Sequence, residues 1–329
     1  MTMNATEMVP GQRTEAMIWI PGGTFRMGSD RFYPEEQPVR RVKVDGFWID
    51  PTPVTNAMYT DFVRATGYVT VAERPLDPAL YPGVPADKLA PGSMVFFPTS
   101  GPVNTRNLAH WWQWVPGATW QHPTGPDSSL AGLADHPVVH VAYEDIAAYC
   151  QWAGATLPTE AEWEFAARGG LDGMDFTWGN DDPQETAPLA NTWQGEFPWQ
   201  NREVDGWLRT SPVGSFAANG YGLFDMAGNV WEWTADWYSV RPGGEDETPS
   251  CCVARNPAGG RIEGSFDPMQ PQIAIPRKVV KGGSHLCSPT YCYRYRPAAR
   301  QAQMIDTGMC HMGFRCIIRP EIASPAEQA

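Results

Sequence analysis

The chain has 329 residues, 37 acidic against 24 basic, for a net charge of -13. That acid excess disfavours nucleic acid and anionic membrane as partners, and no apolar run approaches the ~18 residues of a membrane-spanning helix. The 32 glycines, 32 prolines and 15 tryptophans against only 19% charged residues point to a loop-rich fold with many aromatic rings to bury, in one large domain or two.

The start, MTMNATEMVPGQRTEAM, has neither the basic residues nor the apolar stretch of a signal peptide. It reads as a disordered leader over residues 1–16, and the protein as cytoplasmic. Seven cysteines in such a chain argue for mostly reduced thiols. From Met17, MIWIPGGTFRMGS predicts a β-hairpin turning at Gly22-Gly23. Val42 to Ile49, VKVDGFWI, alternates and predicts one strand. Val54, Met58, Phe62 and Val63 have helical spacing, and Gly67 is a natural stop. Residues 75–137, with WWQW and WQHPTGPDS, predict irregular structure held by buried rings. Tyr143–Ala153 reads as a helix containing Cys150. Thr159 and Glu162 form a capping-box pattern opening a second helix that Gly169 ends. Residues 176–237 and 238–278 show no long periodic segment, and the latter holds Cys251-Cys252. Arg277 begins a strand, MGFRCIIRP is a terminal strand, and residues 321–329 are a polar tail. With no clean boundary and no repeat, one domain over residues 17–320 is the simpler organisation.

Chemistry concentrates in KGGSHLCSPTYCYRYRPAAR, residues 281–300. Cys287 and Cys292 are five apart, the wrong spacing for a zinc knuckle or a Cys-x-x-Cys redox motif. The spacing suits a loop that joins two sulfurs as a redox pair or as a two-coordinate soft-metal site such as Cu(I). Two structural cysteines beside an aromatic core fit it equally. Arg294 and Arg296 flank Cys292; each is either an ion-pair partner or a group that favours the thiolate. Oxygen donors gather twice: Asn191 and Asp205 with carbonyls at Thr192 and Trp207, and Asp225, Gly228, Val230 and Glu232 in one short window. Both suit Ca²⁺, and both are also ordinary turn chemistry. The tryptophans and tyrosines are core or the lining of a groove for an extended peptide. The six histidines lack non-haem iron spacing, and no phosphate loop or nucleophile elbow occurs.

Together IPGGTFRMGS, PVTN, DHPVVHV, LPTEAEWEFAARGG, NTWQGEFP, NGYGLFDMAGNVWEWTADW, the cysteine loop and GFRC resemble the formylglycine-generating enzymes, or sulfatase-modifying factors. The resemblance implies an α+β single domain of low regular secondary structure, related to C-type-lectin-like folds. It implies an oxidase that uses O₂ and Cu(I) to turn the cysteine of a Cys-x-Pro-x-Arg motif, in an unfolded sulfatase, into Cα-formylglycine. Cys287 and Cys292 match the catalytic, copper-holding cysteines; Ser284, Trp231 and Tyr291 match residues beside them. Asn191, Thr192, Asp205 and Trp207 match one calcium site; Asp225, Gly228, Val230 and Glu232 match the other. Cys150 and Cys316 match one structural disulfide of secreted members; the second is missing, with Ala167 and Pro297 in its place. Cys310 is an extra thiol. The enzyme is expected to be a monomer. Iron-dependent sulfoxide synthases and non-catalytic peptide-binding modules share the scaffold and stand as alternatives.

Overall fold

A computed structural model describes residues 13–85, 89–181, 188–240 and 253–320. Among the described residues, four small sheets and three short helices carry a core that is otherwise loop. The strands are β1 (Ile18–Ile20), β2 (Gly23–Met27), β3 (Arg40–Val44), β4 (Phe47–Ile49), β5 (Gly92–Phe96), β6 (Trp112–Pro116), β7 (Trp231–Trp237), β8 (Ala254–Arg255), β9 (Arg277–Lys281), β10 (Gln301–Met304), β11 (Met312–Gly313) and β12 (Ile317–Ile318). The sheets run β1-β4-β12, β2-β3-β8, β10-β9-β7-β11 and β5-β6. The helices are α1 (Asn56–Thr66), α2 (Tyr143–Trp152) and α3 (Glu160–Arg168).

The N-terminal third departs from the sequence expectations in three places. β1 and β2 do not form a hairpin with each other: Ile18 and Ile20 face Ile49 and Phe47 of β4, while β2 pairs along its length with β3. The expected single strand 42–49 is two, broken at Asp45-Gly46. That corner packs under the Gly22-Gly23 turn, where a Cβ on Gly22 would fall 2.6 Å from Val44 O and Asp45 C. One glycine contact therefore makes both chains change sheet together. Residues 13–16 are docked rather than part of a loose leader. Arg13 donates to Asp50 at 3.0 Å, and Thr14–Ala16 form a 3₁₀ turn. The rest of the expected leader, residues 1–12, lies outside the described residues, as do Cys251, Cys252 and the tail from 321.

The three helices form where the sequence places them, α1 and α3 with the end signals it carries. Thr55 Oγ1 accepts from Met58 N, and Gly67 closes α1 in the left-handed conformation at φ 68°. Thr159 and Glu162 make a reciprocal capping box on α3, at 2.7 and 3.2 Å. α3 differs from an ordinary surface helix because all nine of its residues are buried, four of them charged. Within residues 75–137, held as expected by the buried Trp111 and Trp120, the WWQW segment is a strand, β6, paired in register with β5. The segment 225–237 delivers β7, one of the two inner strands of the largest sheet, which its polar-aromatic composition hides.

Candidate active site around Cys287 and Cys292

β9 ends at Lys281 and the chain turns back through Gly282-Gly283. Gly283 sits at φ 69°, and a Cβ there would lie 2.9 Å from the Tyr295 backbone, so the loop closes on itself only through glycine. Two turns follow in succession. Cys287 N donates to Ser284 O at 2.9 Å, and Cys292 N donates to Ser288 O at 2.7 Å. They bring Cys287 Sγ within 3.3 Å of Cys292 Sγ. Five-residue spacing has become direct contact.

The two sulfurs sit in different surroundings. Cys287 is 2% exposed and accepts from Ser284 N at 3.4 Å; burial pushes its thiol up. Cys292 is half-buried. The hydrogen bond from Cys287 and the Arg294 guanidinium lower its thiol pKa despite burial. Ser284 is fully buried beneath the pair, its Oγ accepting from Leu286 N at 3.2 Å. Trp231 is buried in the same core cluster as both cysteines. Tyr291 is 37% exposed; its ring stacks on Phe197 at 4.4 Å and meets Trp111 edge-on at 5.8 Å. Thus the structure joins Ser284, Cys287 and Cys292 directly, sets Tyr291 next to Cys292 along the chain, and places Trp231 in the hydrophobic cluster that holds Cys287. Trp111 and Phe197 join them without having been expected there. They come from segments with no periodicity, and nothing in the sequence links them to residue 291.

Arg294 pairs with Glu35 at 2.6 Å, and its positive charge favours the Cys292 thiolate. Arg296 has one role, a sealed pair with Glu36 with neither side chain exposed. Under the loop, Lys281 Nζ lies 3.1 Å from Glu164 and 3.6 Å from Glu160, and Arg300 forks Glu160 at 2.7 and 2.9 Å. Both ends of the cysteine loop are therefore pinned to α3 by buried charge.

The oxygen-rich loops support the cysteine loop directly. Gly228 N donates to Gly282 O, His285 N to Asn229 O, and Trp193 N to Cys287 O, at 2.9, 3.0 and 2.9 Å. In the first set, Gln194 Nε2 bridges Thr192 O and Asp205 Oδ2, Asp205 Oδ1 accepts from Trp207 N at 3.0 Å, and buried Asn191 Oδ1 has no hydrogen-bond donor. A buried oxygen without a donor, in the same set as a carboxylate and a carbonyl, suits a hard cation. In the second set, Gly228 passes so close to Asn191 O that a Cβ would lie 2.2 Å away. There Arg315 forks Glu232 with two bonds of 2.7 Å, and Trp163 Nε1 donates to Glu232 Oε2 at 2.8 Å. Asp225 accepts from Gly214 N at 2.8 Å. This set fits a cation less well than the first, because Arg315 already supplies the positive charge.

Cys150 and Cys316 lie with their sulfurs 3.7 Å apart, both buried and unbonded. Cys310 is buried among Phe96, Trp111, Trp193 and Leu286, where burial pushes its thiol up to about 11. At that value it stays protonated and inert near neutral pH.

A loop-borne dithiol, one sulfur sealed and one accessible, defines a soft-metal or thiol-redox class of site on a strand-poor scaffold. Residues 3–320 match the model of the sulfatase-modifying factor enzyme 1-like domain, and the chain belongs to that family. It is 53% identical to the formylglycine-generating enzyme of Mycobacterium tuberculosis, over 92% of this chain and 98% of that one. It is 44% identical to a mouse protein named inactive C-alpha-formylglycine-generating enzyme 2, covering 92% and 85%. The solved structure of PvdO from Pseudomonas aeruginosa shares the fold, with a TM-score of 0.59 at 24% identity, covering 92% and 93%.

Proposed function

We propose that this protein is a formylglycine-generating oxidase that converts the cysteine of a Cys-x-Pro-x-Arg motif in unfolded sulfatase chains, with O₂ as oxidant. The observation that carries the reading is the 3.3 Å approach of Cys287 and Cys292 in a loop clamped at both ends. Family membership alone does not decide it, since one relative at 44% identity is named inactive. A peptide-binding module has no need of two converging sulfurs with one of them accessible.

Cys287 and Cys292 are the residues to hold Cu(I), whose softness suits two thiolates. Bound there, the metal supplies O₂ activation. The chain's own part is positioning. Ser284 holds Cys287 through its backbone N–H. Arg294 favours negative charge on Cys292. Tyr291, exposed next to Cys292 along the chain and backed by the buried Trp111, offers a ring face against which an extended peptide packs. Calcium at Asn191, Thr192, Asp205 and Trp207 braces the loop behind Cys287; the set at Asp225, Gly228, Val230 and Glu232 binds it more weakly, for want of a free carboxylate. The enzyme works as a cytoplasmic monomer.

The deciding experiment is mass spectrometry of a Cys-x-Pro-x-Arg peptide incubated in air with Cu(I)-loaded enzyme. The peptide should lose the mass that separates cysteine from formylglycine. Cys287→Ser and Cys292→Ser should each lower turnover by ~10³-fold or more. Either variant working at the unmutated rate overturns the assignment.

A further inference from the structure

Against the cysteine loop lies a cavity of about 320 Å³ that the reaction described above does not use. Pro289 and Thr290, which stand between Cys287 and Cys292 in the chain, form part of its lining. Another part is the run from Trp193 to Gly195, and Trp193 N donates to Cys287 O at 2.9 Å. The cavity is thus hydrogen-bonded to the loop that carries the sulfurs. Two of its rings belong to one stack: Trp178 lies on Phe176 at 4.9 Å with the planes 2° apart, and Phe176 lies on Tyr295 at 6.0 Å. Leu189 and Val204 add aliphatic surface, and Val204 is 63% exposed.

The cavity is preformed. Gly195 sits at φ 136°, and a Cβ there would lie 2.5 Å from Gln200 O, so the chain closes there only through glycine. Arg202 N donates to Gln194 O at 2.7 Å, and the Gln194 side chain is bonded to Asp205 at 2.7 and 3.1 Å. Glu196 and Arg202 also line the cavity, and among the described residues neither side chain has a hydrogen-bond or ion-pair partner. Their opposite charges offset each other, which leaves the rings and aliphatic groups to set the preference.

We propose that this cavity is a client-specificity site that takes one bulky apolar side chain of the sulfatase chain, at a variable position within three residues of the cysteine to be converted. The inference deepens the oxidase reading and rests on it. An extended chain advances about 3.3–3.6 Å per residue, so a side chain two or three places from the reacting cysteine starts about 7–11 Å from it. The turn that Cys292 N closes on Ser288 O keeps Pro289 and Thr290 within that reach. For the arginine of the client motif, attraction to Glu196 is offset by Arg202, so that residue is not the occupant.

The test uses the full chain in calcium-containing buffer without added copper. The probes are fluorescein-labelled Cys-x-Pro-x-Arg peptides with serine in place of the target cysteine, carrying leucine or alanine at each variable position within three residues of it. Anisotropy reads the affinity. At one position leucine should bind about tenfold more tightly than alanine. Trp178→Ala should bring that ratio to within twofold of unity. Val204→Asp, at an exposed position that folding does not depend on, should lower it at least threefold, and thermal midpoints show which variants are folded. A flat series in the unmutated chain, no binding of any peptide, or a preference that survives in either folded variant overturns the proposal. Conversion of the matching cysteine peptides by the Cu(I)-loaded enzyme is followed alongside. Conversion with a flat series overturns the cavity and leaves the oxidase. A preference lost in the variants, without conversion by the unmutated enzyme, overturns the oxidase and leaves a peptide-binding site.

Discussion

The cysteine loop has two unlike neighbours. Its floor is charged: Lys281, Arg300 and Arg296 meet Glu160, Glu164 and Glu36 with almost no exposure. Its wall is aromatic: Trp111, Phe197 and Tyr291 pack edge-on and stacked, and Tyr291 reaches water. Buried ion pairs tolerate little displacement, because an unpaired charge in the interior is costly. Ring contacts are weaker and less directional, about 0.5–1.5 kcal/mol each beyond burial. The difference teaches where rigidity is placed. The floor fixes the two sulfurs, and the wall leaves one side of Cys292 free to adapt to a client chain.

Removing one charge from the floor should give the largest stability effect. Lys281→Met leaves Glu164 with Arg168 and Glu160 with Arg300, yet removes the cation they share, and should cost about 3–5 kcal/mol. Denaturant unfolding measures it; a cost below 1 kcal/mol would show that the floor is not what fixes the loop. Acid should separate the two neighbours next. On the wall's side, His140 is fully buried between Ser93 Oγ and Pro123 O, and burial pushes its pKa down to about 4. Its folded pKa lies below the unfolded value near 6.5, so the unfolded chain binds the extra proton. Stability from His140 is then present above pH 6.5 and lost as pH falls towards 4, by up to about 3 kcal/mol. The floor resists longer at Glu160, where burial opposes the charge but Arg300 and Lys281 outweigh it and hold the carboxyl below its usual range, and yields sooner at Glu36, whose carboxyl burial pushes up. Thermal midpoints between pH 7 and 4 should fall less steeply in His140→Asn, a residue that accepts the left-handed backbone found there.

Calcium removal should come third. Chelation is expected to lower the midpoint by the equivalent of about 2–3 kcal/mol if free calcium exceeds its dissociation constant a hundredfold. Asp205→Asn should abolish most of that sensitivity, and Asp225→Asn little of it. An unchanged midpoint on chelation would remove calcium from the account. The smallest stability effect belongs to Tyr291→Ala, about 1 kcal/mol for one partly exposed stacked ring. Its peptide KM should rise several-fold with kcat much less affected. A fall in kcat alone would instead place Tyr291 in the chemistry and make the wall as exacting as the floor.

Much of this was legible in the residues. The stop of α1 and the capping box of α3 are local hydrogen-bond patterns, so Gly67, Thr159 and Glu162 announced them. The cysteine pair and its Gly-Gly turn were legible too, because the joining turns span only a few residues. The partners of Arg294 and Arg296 were not. Glu35 and Glu36 lie some 260 positions away, and no local rule links them. β7 went unseen because it is buried on both faces at its start and shows no alternation. The hairpin expected at Gly22-Gly23 failed because the glycine signal was read as a reversal between neighbours, when it marks a close approach to Asp45.

By itself, then, the sequence determined the local devices: three helices, two of them with their stops, a two-sulfur loop, two clusters of oxygen donors and a family resemblance carried by motifs. Each is a matter of short-range geometry or of residue chemistry. Only the tertiary structure decided which sulfur is sealed and which is reachable, which arginine serves the site, and which acidic cluster already has its cation in Arg315. Burial and long-range charge pairing set those outcomes, and both depend on what the rest of the chain brings near.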